Sequence, residues 1–311
     1  MPDRARVVTF TGTRTSTGTG SAHQDGQEVP DLAARDEDLR AVLRASGAEV
    51  VHEHTVRTET FRVSTLEVDA PADLPGLRTA LGRWGRRTGS GAAVVPHSVH
   101  APGPKLLIMD VDSTLIKQEV IELLAAYAGR EAEVAAVTEA AMRGELDFAE
   151  SLHARVEVLA GLPASVIDAV GERIELSDGA EALVQAYRSA GHPVGVVSGG
   201  FSQVLAPLAE RLGLTFRKAN DLEIVDGRLT GRVSGPVVDR REKERVLRIE
   251  AARAGVPLAA TVAVGDGAND LDMLGSAGLG VAFNAKPTVR AAADVALDLP
   301  DLDVVRYFAG L

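Results

Sequence analysis

The chain has 311 residues, of which 45% are hydrophobic and 25% are charged, a balance that is ordinary for a soluble globular protein. Its net charge of -11 argues against a general binder of nucleic acids or of anionic membranes, because such proteins usually present a basic face. The chain contains no cysteine, which excludes disulfides, thiol nucleophiles and thiolate metal sites.

The first residues lack the apolar core of a signal peptide, and no later stretch approaches the length of a transmembrane helix. We therefore expect a cytoplasmic location and no membrane partner. A chain of this length can form two or more domains, and its character changes near residue 100. We place the first domain at residues 1–100 and the second at residues 101–311.

Residues 1–100 carry short strand and helix patterns in the order β-α-β-β-α-β. Strands are predicted at 7–10, 49–56, 60–68 and 92–95, and helices at 36–47 and 73–87. This order is that of a ferredoxin-like α+β domain. Residues 11–21 are almost entirely Thr, Gly and Ser, which predicts a flexible loop. Residues 96–104 are rich in proline, which predicts a linker between the two domains.

The segment at 105–116, Lys-Leu-Leu-Ile-Met-Asp-Val-Asp-Ser-Thr-Leu-Ile, organises the second domain. Four apolar residues run directly into Asp110 and Asp112, and a continuous apolar run of this length fits a strand buried on both faces of a parallel sheet. In open α/β sheets, ligands bind beyond the carboxyl ends of the strands. Taken alone, the two acids fit such a site and an Asx-type turn equally well.

A helical block and then a regular alternation follow. Residues 118–177 have apolar spacings of three and four, which predict about four short helices. Beyond residue 178, strands are predicted at 192–197, 222–225, 228–233, 261–264, 279–283 and 295–297, and helices at 179–190, 201–212, 241–254 and 270–276. The alternation predicts an α/β fold with a Rossmann-like, doubly wound parallel sheet. The helical block is an insertion after its first strand.

Polar groups follow two further strands of the predicted sheet. Ser198 and Gly199 stand just before a helix, where exposed amides and a hydroxyl suit a phosphate. Residues 265–270, Gly-Asp-Gly-Ala-Asn-Asp, are rich in oxygen ligands and lack His and Cys, which favours Mg²⁺. Lys243 is long enough to reach a phosphate. Each feature alone also fits a turn, a helix cap or a surface lysine, but their common position at strand ends favours a site.

In this order, the four motifs resemble the haloacid dehalogenase (HAD) superfamily of aspartate-nucleophile phosphatases, and most closely its phosphoserine phosphatase family. The resemblance extends from residue 105 to the end of the chain. The helical block, about residues 117–178, resembles the small cap of that family. The resemblance implies Mg²⁺-dependent hydrolysis of O-phospho-L-serine to L-serine and phosphate through an aspartyl-phosphate, which is the last step of serine biosynthesis.

The resemblance assigns roles to the residues of these motifs. Asp110 is expected to be the nucleophile, and Asp112 the general acid that later becomes the base. Mg²⁺ is expected on the Asp110 carboxylate, the Asp112 carbonyl and Asp266, with Asp270 as a supporting group. A further set is expected to hold the phosphoryl oxygens or to position the phosphate: Ser198, Gly199, Lys243 and Asn269.

Substrate choice is expected to come from the cap. Residues 144–155 resemble the substrate-binding segment of the family, and Phe148 and Arg155 are two helical turns apart, so they share a face. The resemblance implies that Arg155 binds the substrate carboxylate through its bidentate fork. It also implies that Glu119 binds the amino group and that Phe148 shields the pocket.

The first domain resembles, in element order, the ACT-type regulatory domains that precede some phosphoserine phosphatases. Amino-acid sensing and dimerisation both stay open as its role, and a homodimer is expected. Two alternatives to the leading function also stay open: a HAD phosphatase for another small phosphate monoester, and a non-catalytic amino-acid-sensing regulatory protein. The presence of Asp110, Asp112, Lys243 and Asp266 together favours an enzyme. We expect a small-molecule substrate and no nucleic-acid partner.

Overall fold

The computed structural model describes residues 4–13, 32–69, 73–142 and 147–311. The first six elements are β1 (Arg4–Gly12), α1 (Leu32–Ala45), β2 (Val50–Arg57), β3 (Phe61–Asp69), α2 (Leu74–Thr88) and β4 (Gly91–Val95). Their strands form an antiparallel sheet in the order β2-β3-β1-β4, so the predicted ferredoxin-like arrangement is confirmed. Of the predicted loop at 11–21, Thr11 and Gly12 belong to β1, and residues 14–21 lie outside the described residues.

The central strands β1 and β3 of this N-terminal sheet bury side chains on both faces, whereas the edge strand β2 is mostly exposed. One face packs against α1 and α2. On the other face, the rings of Phe10 and Phe308 meet edge to face, with 5.9 Å between their centroids. Phe61 and Tyr307 form a second edge contact at 6.1 Å. The N-terminal sheet therefore shares a hydrophobic core with the end of the chain.

The predicted linker at 96–104 contains a one-turn helix, α3 (His97–His100). Val99 is fully buried in the core that joins the two sheets. Pro96 stands just before this helix, where its fixed backbone angle and missing N–H are tolerated. The proline-rich composition concealed the helix from sequence reasoning, and this connection contributes to the core.

The second sheet has seven strands: β5 (Leu106–Met109), β6 (Val194–Phe201), β7 (Phe216–Val225), β8 (Arg228–Ser234), β9 (Thr261–Gly265), β10 (Leu279–Phe283) and β11 (Val295–Leu297). Their order is β11-β10-β9-β5-β6-β7-β8, and every pair is parallel except β7 and β8. The central strand β5 is completely buried. Leu107 and Met109 point into one core, and Leu106 and Ile108 into the other, as the continuous apolar run predicted.

Between β5 and β6 lies the predicted helical block, made of α4 (Val120–Ala128), α5 (Glu131–Met142), α6 (Phe148–Glu157) and α7 (Val166–Gly171). It leaves and rejoins the core through two adjacent connections, since the Lys117 N–H donates to the Glu175 carbonyl and the Ser177 N–H to the Leu115 carbonyl. The helical block is therefore joined to the core by two neighbouring connections, as an inserted cap would be. Residues 143–146, at the start of the predicted substrate-binding segment, lie outside the described residues.

The remaining helices are α8 (Ala180–Ser189), α9 (Ser202–Leu212), α10 (Arg240–Arg253), α11 (Leu271–Ser276), α12 (Pro287–Ala292) and α13 (Val304–Ala309). Sequence reasoning missed the two short helices α12 and α13. It also began β7 too late, because the first half of that strand pairs with β6 and only the second half forms the predicted hairpin. Asp226 and Gly227 turn that hairpin with φ values of 50° and 73°, as a type I′ turn requires. None of the helices in the described ranges is long and apolar enough to cross a membrane.

Candidate active site

Asp110 and Asp112 follow the carboxyl end of β5, the strand that lies between β6 and β9. The Asp110 N–H donates to the Val264 carbonyl at 2.9 Å, and Asp110 Oδ1 accepts from the Val111 N–H at 2.7 Å. The chain then turns away through Ser113, whose φ of 56° lies in the left-handed region that L residues rarely adopt. This turn leaves Asp110 and Asp112 together at the edge of the sheet.

Lys243, on α10, is the buried cation of the site. Its Nζ lies 2.8 Å from Asp110 Oδ2 and 2.7 Å from Asp270 Oδ1. Burial lowers the pKa of Lys243, but the two carboxylates outweigh burial and leave the pKa raised, so the side chain stays an ammonium. Burial and the charge of Asp270 raise the pKa of Asp110, and the Lys243 ammonium opposes that rise.

Asp266 and Asp270 lie in the loop after β9. Asp270 Oδ2 accepts from the backbone N–H groups of Asp266 and Gly267, at 3.1 and 3.0 Å. Because Oδ1 accepts from Lys243, both oxygens of Asp270 are engaged. Asp266 Oδ1 accepts from the Thr114 hydroxyl at 3.1 Å. Burial and the charge of Asp270 raise the pKa of Asp266 to about 6.

These carboxylates fit a divalent cation. Asp110, Asp266 and Asp270 each offer an oxygen, and the three oxygens lie within 4.8 Å of one another. An all-oxygen donor set suits a hard cation such as Mg²⁺. Burial, and after it the charge of Asp270, raises the pKa of both Asp110 and Asp266, and a bound cation would favour their ionised forms. Asp270 is fully buried behind the cavity wall and accepts from Lys243 and from two backbone N–H groups of the loop, so it is better suited to orienting the loop than to binding the ion.

Asp112 is held by two donors on different elements. The Val120 N–H, at the start of α4, donates to Asp112 Oδ1 at 2.7 Å, and the Ser198 hydroxyl donates to Oδ2 at 3.1 Å. Burial raises the pKa of Asp112, although these two hydrogen bonds oppose the rise. A carboxyl group with a raised pKa is suited to carrying a proton to a leaving group.

The end of β6 approaches Asp112 closely. Ser198 is 1% exposed, and its hydroxyl accepts from the Gly200 N–H at 2.7 Å while donating to Asp112. A Cβ at Gly200 would lie 2.8 Å from Asp112 Oδ2 and 3.0 Å from Ser198 Oγ. Glycine is therefore required at this position, because a side chain would push the serine or the acid away.

Cap and core line an open cavity of about 370 Å³, a size typical of small-molecule sites. Most of the predicted site residues line it: Asp110, Asp112, Glu119, Phe148, Arg155, Gly199, Asp266 and Asn269. The other predicted residues, Ser198, Lys243 and Asp270, are buried and contact the acids that form the wall. The predicted residues thus gather in one place, although their individual roles stay predictions.

The cap contributes opposite charges to the cavity. Phe148 and Arg155 both line it, so their predicted common face is confirmed. Glu119 Oε1 accepts from the Ser113 hydroxyl at 2.7 Å, and burial and the charge of Asp112 raise the pKa of Glu119 to about 7. Burial lowers the pKa of Arg155, while the charge of Glu119 opposes this. A carboxylate and a guanidinium in one cavity suit a zwitterionic substrate.

Sequence reasoning gave no role to two residues of this region. Ser113 donates to Glu119 from a strained turn, and Lys286 lines the cavity beside Asp266. Lys286 follows the carboxyl end of β10, so the strand-end rule that identified the other motifs could have found it. The hydroxyl of Thr114, in the turn after β5, also contacts Asp266.

The chain matches one family model and several known proteins. The family model described as haloacid dehalogenase-like hydrolase matches residues 107–275. A phosphoserine phosphatase of Streptomyces coelicolor is 50% identical over 313 residues, covering 99% of this chain and 75% of the relative. The phosphoserine phosphatase SerB2 of Mycobacterium tuberculosis is 53% identical over 247 residues, covering 79% of this chain but only 60% of the relative.

Among solved structures, a probable phosphoserine phosphatase from Vibrio cholerae in unliganded form is similar over nearly the whole chain. Its TM-score is 0.74 at 30% identity, and the match covers 98% of this chain and 86% of that one. The similarity therefore includes the N-terminal sheet as well as the second sheet and its cap.

Proposed function

The chain belongs to the haloacid dehalogenase-like hydrolases, and from this premise we propose that it is an Mg²⁺-dependent phosphoserine phosphatase that converts O-phospho-L-serine to L-serine and phosphate. One observation carries the proposal. A phosphate-type site, with Asp110 and Lys243, and an amino-acid-type site, with Glu119 and Arg155, meet in a single cavity. Neither half alone would distinguish a phosphoamino acid from other ligands.

Asp110 is the proposed nucleophile. One oxygen of its carboxylate attacks the phosphorus, the bond to the serine oxygen breaks, and an aspartyl-phosphate forms. Lys243 holds the carboxylate in place at 2.8 Å and supplies positive charge next to the incoming phosphate. Because Asp270 anchors Lys243 from the other side, the ammonium is fixed before substrate arrives.

Asp112 is the proposed proton carrier. Its raised pKa favours a protonated form that gives its proton to the serine oxygen as the ester bond breaks. The ionised form then removes a proton from the water that attacks the aspartyl-phosphate. The Ser198 hydroxyl and the Val120 amide keep the carboxyl in one orientation through both steps.

Asp110, the Asp112 backbone carbonyl and Asp266 would hold Mg²⁺, and Thr114 and Asp270 would orient Asp266 and its loop. A bound divalent ion supplies Lewis-acid charge that lets an anionic nucleophile approach an anionic phosphate. The cluster contains no nitrogen or sulfur donor, and this supports Mg²⁺ over softer metals.

Recognition of the amino-acid part falls to the cap. Arg155 is proposed to bind the substrate carboxylate, and Glu119 the ammonium. The Phe148 ring lines the cavity and reaches Gly199 of the core, since a Cβ at Gly199 would lie 3.1 Å from the ring Cζ. In that position Phe148 is proposed to shield the cavity from water while the aspartyl-phosphate forms.

Phosphate release from O-phospho-L-serine in the presence of Mg²⁺ tests the proposal. Asp110→Asn should reduce turnover at least about a thousandfold, because an amide cannot replace the nucleophile. Asp168→Asn, at an exposed position of α7, is the matched control and should leave turnover unchanged. A chelator should abolish activity, and added Mg²⁺ should restore it.

The outcomes separate the proposed activity from its alternatives. Hydrolysis of aryl phosphate without hydrolysis of phosphoserine would favour another small phosphate monoester as substrate. No hydrolysis of either compound would favour a non-catalytic regulatory protein. For the N-terminal unit we propose an ACT-like role in amino-acid sensing or in homodimer formation, supported by its ferredoxin-like sheet order.

A further inference from the structure

The cavity wall carries an excess of negative charge. Five carboxylates line it, Asp110, Asp112, Glu119, Asp147 and Asp266. Against them stand two cations on the wall, Arg155 and Lys286. The chain as a whole has a net charge of -11. A phosphate monoester of an amino acid carries a net charge of about -2 at neutral pH, so beyond the proposed Mg²⁺ and the buried Lys243 it depends on these two cations for attraction.

Lys286 places a positive charge next to these acids. It follows β10 at the same sheet edge as the acids, and its backbone N–H donates to the Asp266 carbonyl at 3.4 Å. Its side chain is exposed and makes no ion pair within 4 Å with any residue in the described part of the chain. Its charge opposes the rise in the pKa of Asp266 that burial and Asp270 cause. The ammonium is therefore available to an incoming anion, unlike that of Lys243.

Helix capping does not explain a lysine here. Lys286 is the residue just before α12, a position that favours Ser, Thr, Asp or Asn and disfavours a cation, because the helix dipole is positive at this end. No side-chain cap hydrogen bond is formed. Local rules are most often broken at functional positions.

We propose that Lys286 is an anion-steering residue of the site, which raises the local concentration of phosphate monoesters at the mouth of the acidic cavity and takes no part in the chemical step. This inference rests on the proposed phosphatase function. It predicts an effect that follows the charge of the phosphate group, whatever the remainder of the substrate.

Steady-state kinetics of Lys286→Gln at low ionic strength tests the inference. We expect KM for phosphoserine to rise about fivefold with kcat unchanged, since only capture is affected. The same factor should appear for an aryl phosphate and for inorganic phosphate as a competitive inhibitor. At about 0.5 M salt the difference from the wild type should nearly vanish, because the Debye length falls to a few ångströms. Lys286→Arg should retain wild-type behaviour.

Arg290→Gln is the matched control. Arg290 lies on the same helix, pairs with Asp298 and is absent from the cavity wall, yet its loss changes net charge by the same amount. Equal effects of the two substitutions would overturn the inference in favour of a general charge effect. A salt-independent rise in KM, or a loss confined to kcat, would also overturn it.

Different results would contradict the phosphoserine phosphatase activity and the steering role of Lys286. If the wild type hydrolyses aryl phosphate but not phosphoserine, the proposed substrate is wrong, and the effect of Lys286 can still be measured with the aryl compound. If the wild type hydrolyses phosphoserine and Lys286→Gln is indistinguishable from Arg290→Gln, only the steering role is wrong.

Discussion

At the scale of single residues, the site contains a glycine that is packed too closely to accept a side chain. Gly200 should not tolerate alanine, because the new Cβ would lie 2.8 Å from Asp112 Oδ2 and 3.0 Å from Ser198 Oγ. We expect Gly200→Ala to lower kcat at least about tenfold through displacement of the proton carrier Asp112.

Gly275→Ala is the control. Its Cβ would meet nothing within 4 Å, so kcat should stay unchanged. It should add about 0.5–1 kcal/mol of stability, measured by urea unfolding. Equal kcat values for both variants would contradict the tight fit.

Glu119 should make substrate binding depend on pH. Its pKa is raised to about 7 by burial and by Asp112, and only the ionised carboxylate can bind an ammonium group. KM for phosphoserine should therefore fall as pH rises through about 7, measured against an aryl phosphate that has no amino group. The aryl compound should not show this dependence. A parallel change for both compounds would assign the titration to the phosphate chemistry instead.

The same shift has a consequence for stability. A carboxyl whose pKa is higher in the folded protein than in the unfolded chain binds more protons when folded, so the protein loses stability as pH rises from about 4.5 through about 7. Glu119→Gln should therefore be more stable than the wild type above about pH 7, by at most about 3 kcal/mol. Below about pH 4.5 the two should be equally stable. Thermal melts at both pH values measure this, and a stabilisation that is independent of pH would argue against the shift.

At the scale of elements, hydrogen bonds link a connection of the cap to the N-terminal sheet. The return connection of the cap passes through Asp178, whose carbonyl accepts from the Leu302 N–H at 2.8 Å. The neighbouring residue Asp301 accepts from the Thr60 hydroxyl, in the turn between β2 and β3, at 2.7 Å. Gly179 packs directly against Asp301. A Cβ at Gly179 would lie 1.9 Å from Asp301 Oδ1, so a larger residue would displace that side chain.

Thr60→Val should weaken this connection while keeping the shape of the side chain. We expect a loss of about 1–2 kcal/mol in the free energy of unfolding, because the largely buried Asp301 loses a donor. Thr79→Val removes a hydroxyl bond that is exposed on α2 and should change stability by less than about 0.5 kcal/mol. Urea unfolding measures the free energy of unfolding of both variants. Similar small losses of stability for the two would show that the Thr60 hydrogen bond does not stabilise the core.

At the scale of the whole molecule, the two sheets are joined by a continuous core. Phe308, at the end of the chain, is fully buried and packs against Phe10 of the N-terminal sheet. A sheet with both faces covered by different parts of the chain should unfold together with them.

Phe308→Ala should therefore lower the stability of the whole protein by about 3–5 kcal/mol in a single transition. Tyr127→Ala, at an aromatic position that is 53% exposed, should cost less than about 0.5 kcal/mol. Calorimetry distinguishes the possibilities. Two separate transitions in the wild type, with only one of them shifted by Phe308→Ala, would mean that the sheets fold independently.

The sequence by itself determined the features that are written in short stretches of chain. The apolar run before Asp110 predicted a strand buried on both faces, and the turn residues after β5, β6 and β9 identified the edge where the site lies. The seven-residue spacing of Phe148 and Arg155 placed both on one face of the cap. These inferences succeeded because periodicity and strand-end chemistry depend on near neighbours.

Tertiary structure alone decided how distant residues meet. It placed Lys243 between Asp110 and Asp270, directed the Ser198 hydroxyl towards Asp112, brought Lys286 to the cavity and buried the second face of the N-terminal sheet against Phe308. No local pattern encodes these contacts, because each depends on packing between elements far apart in the chain. The shifted pKa of Glu119 has the same origin, since desolvation is a property of the folded surroundings.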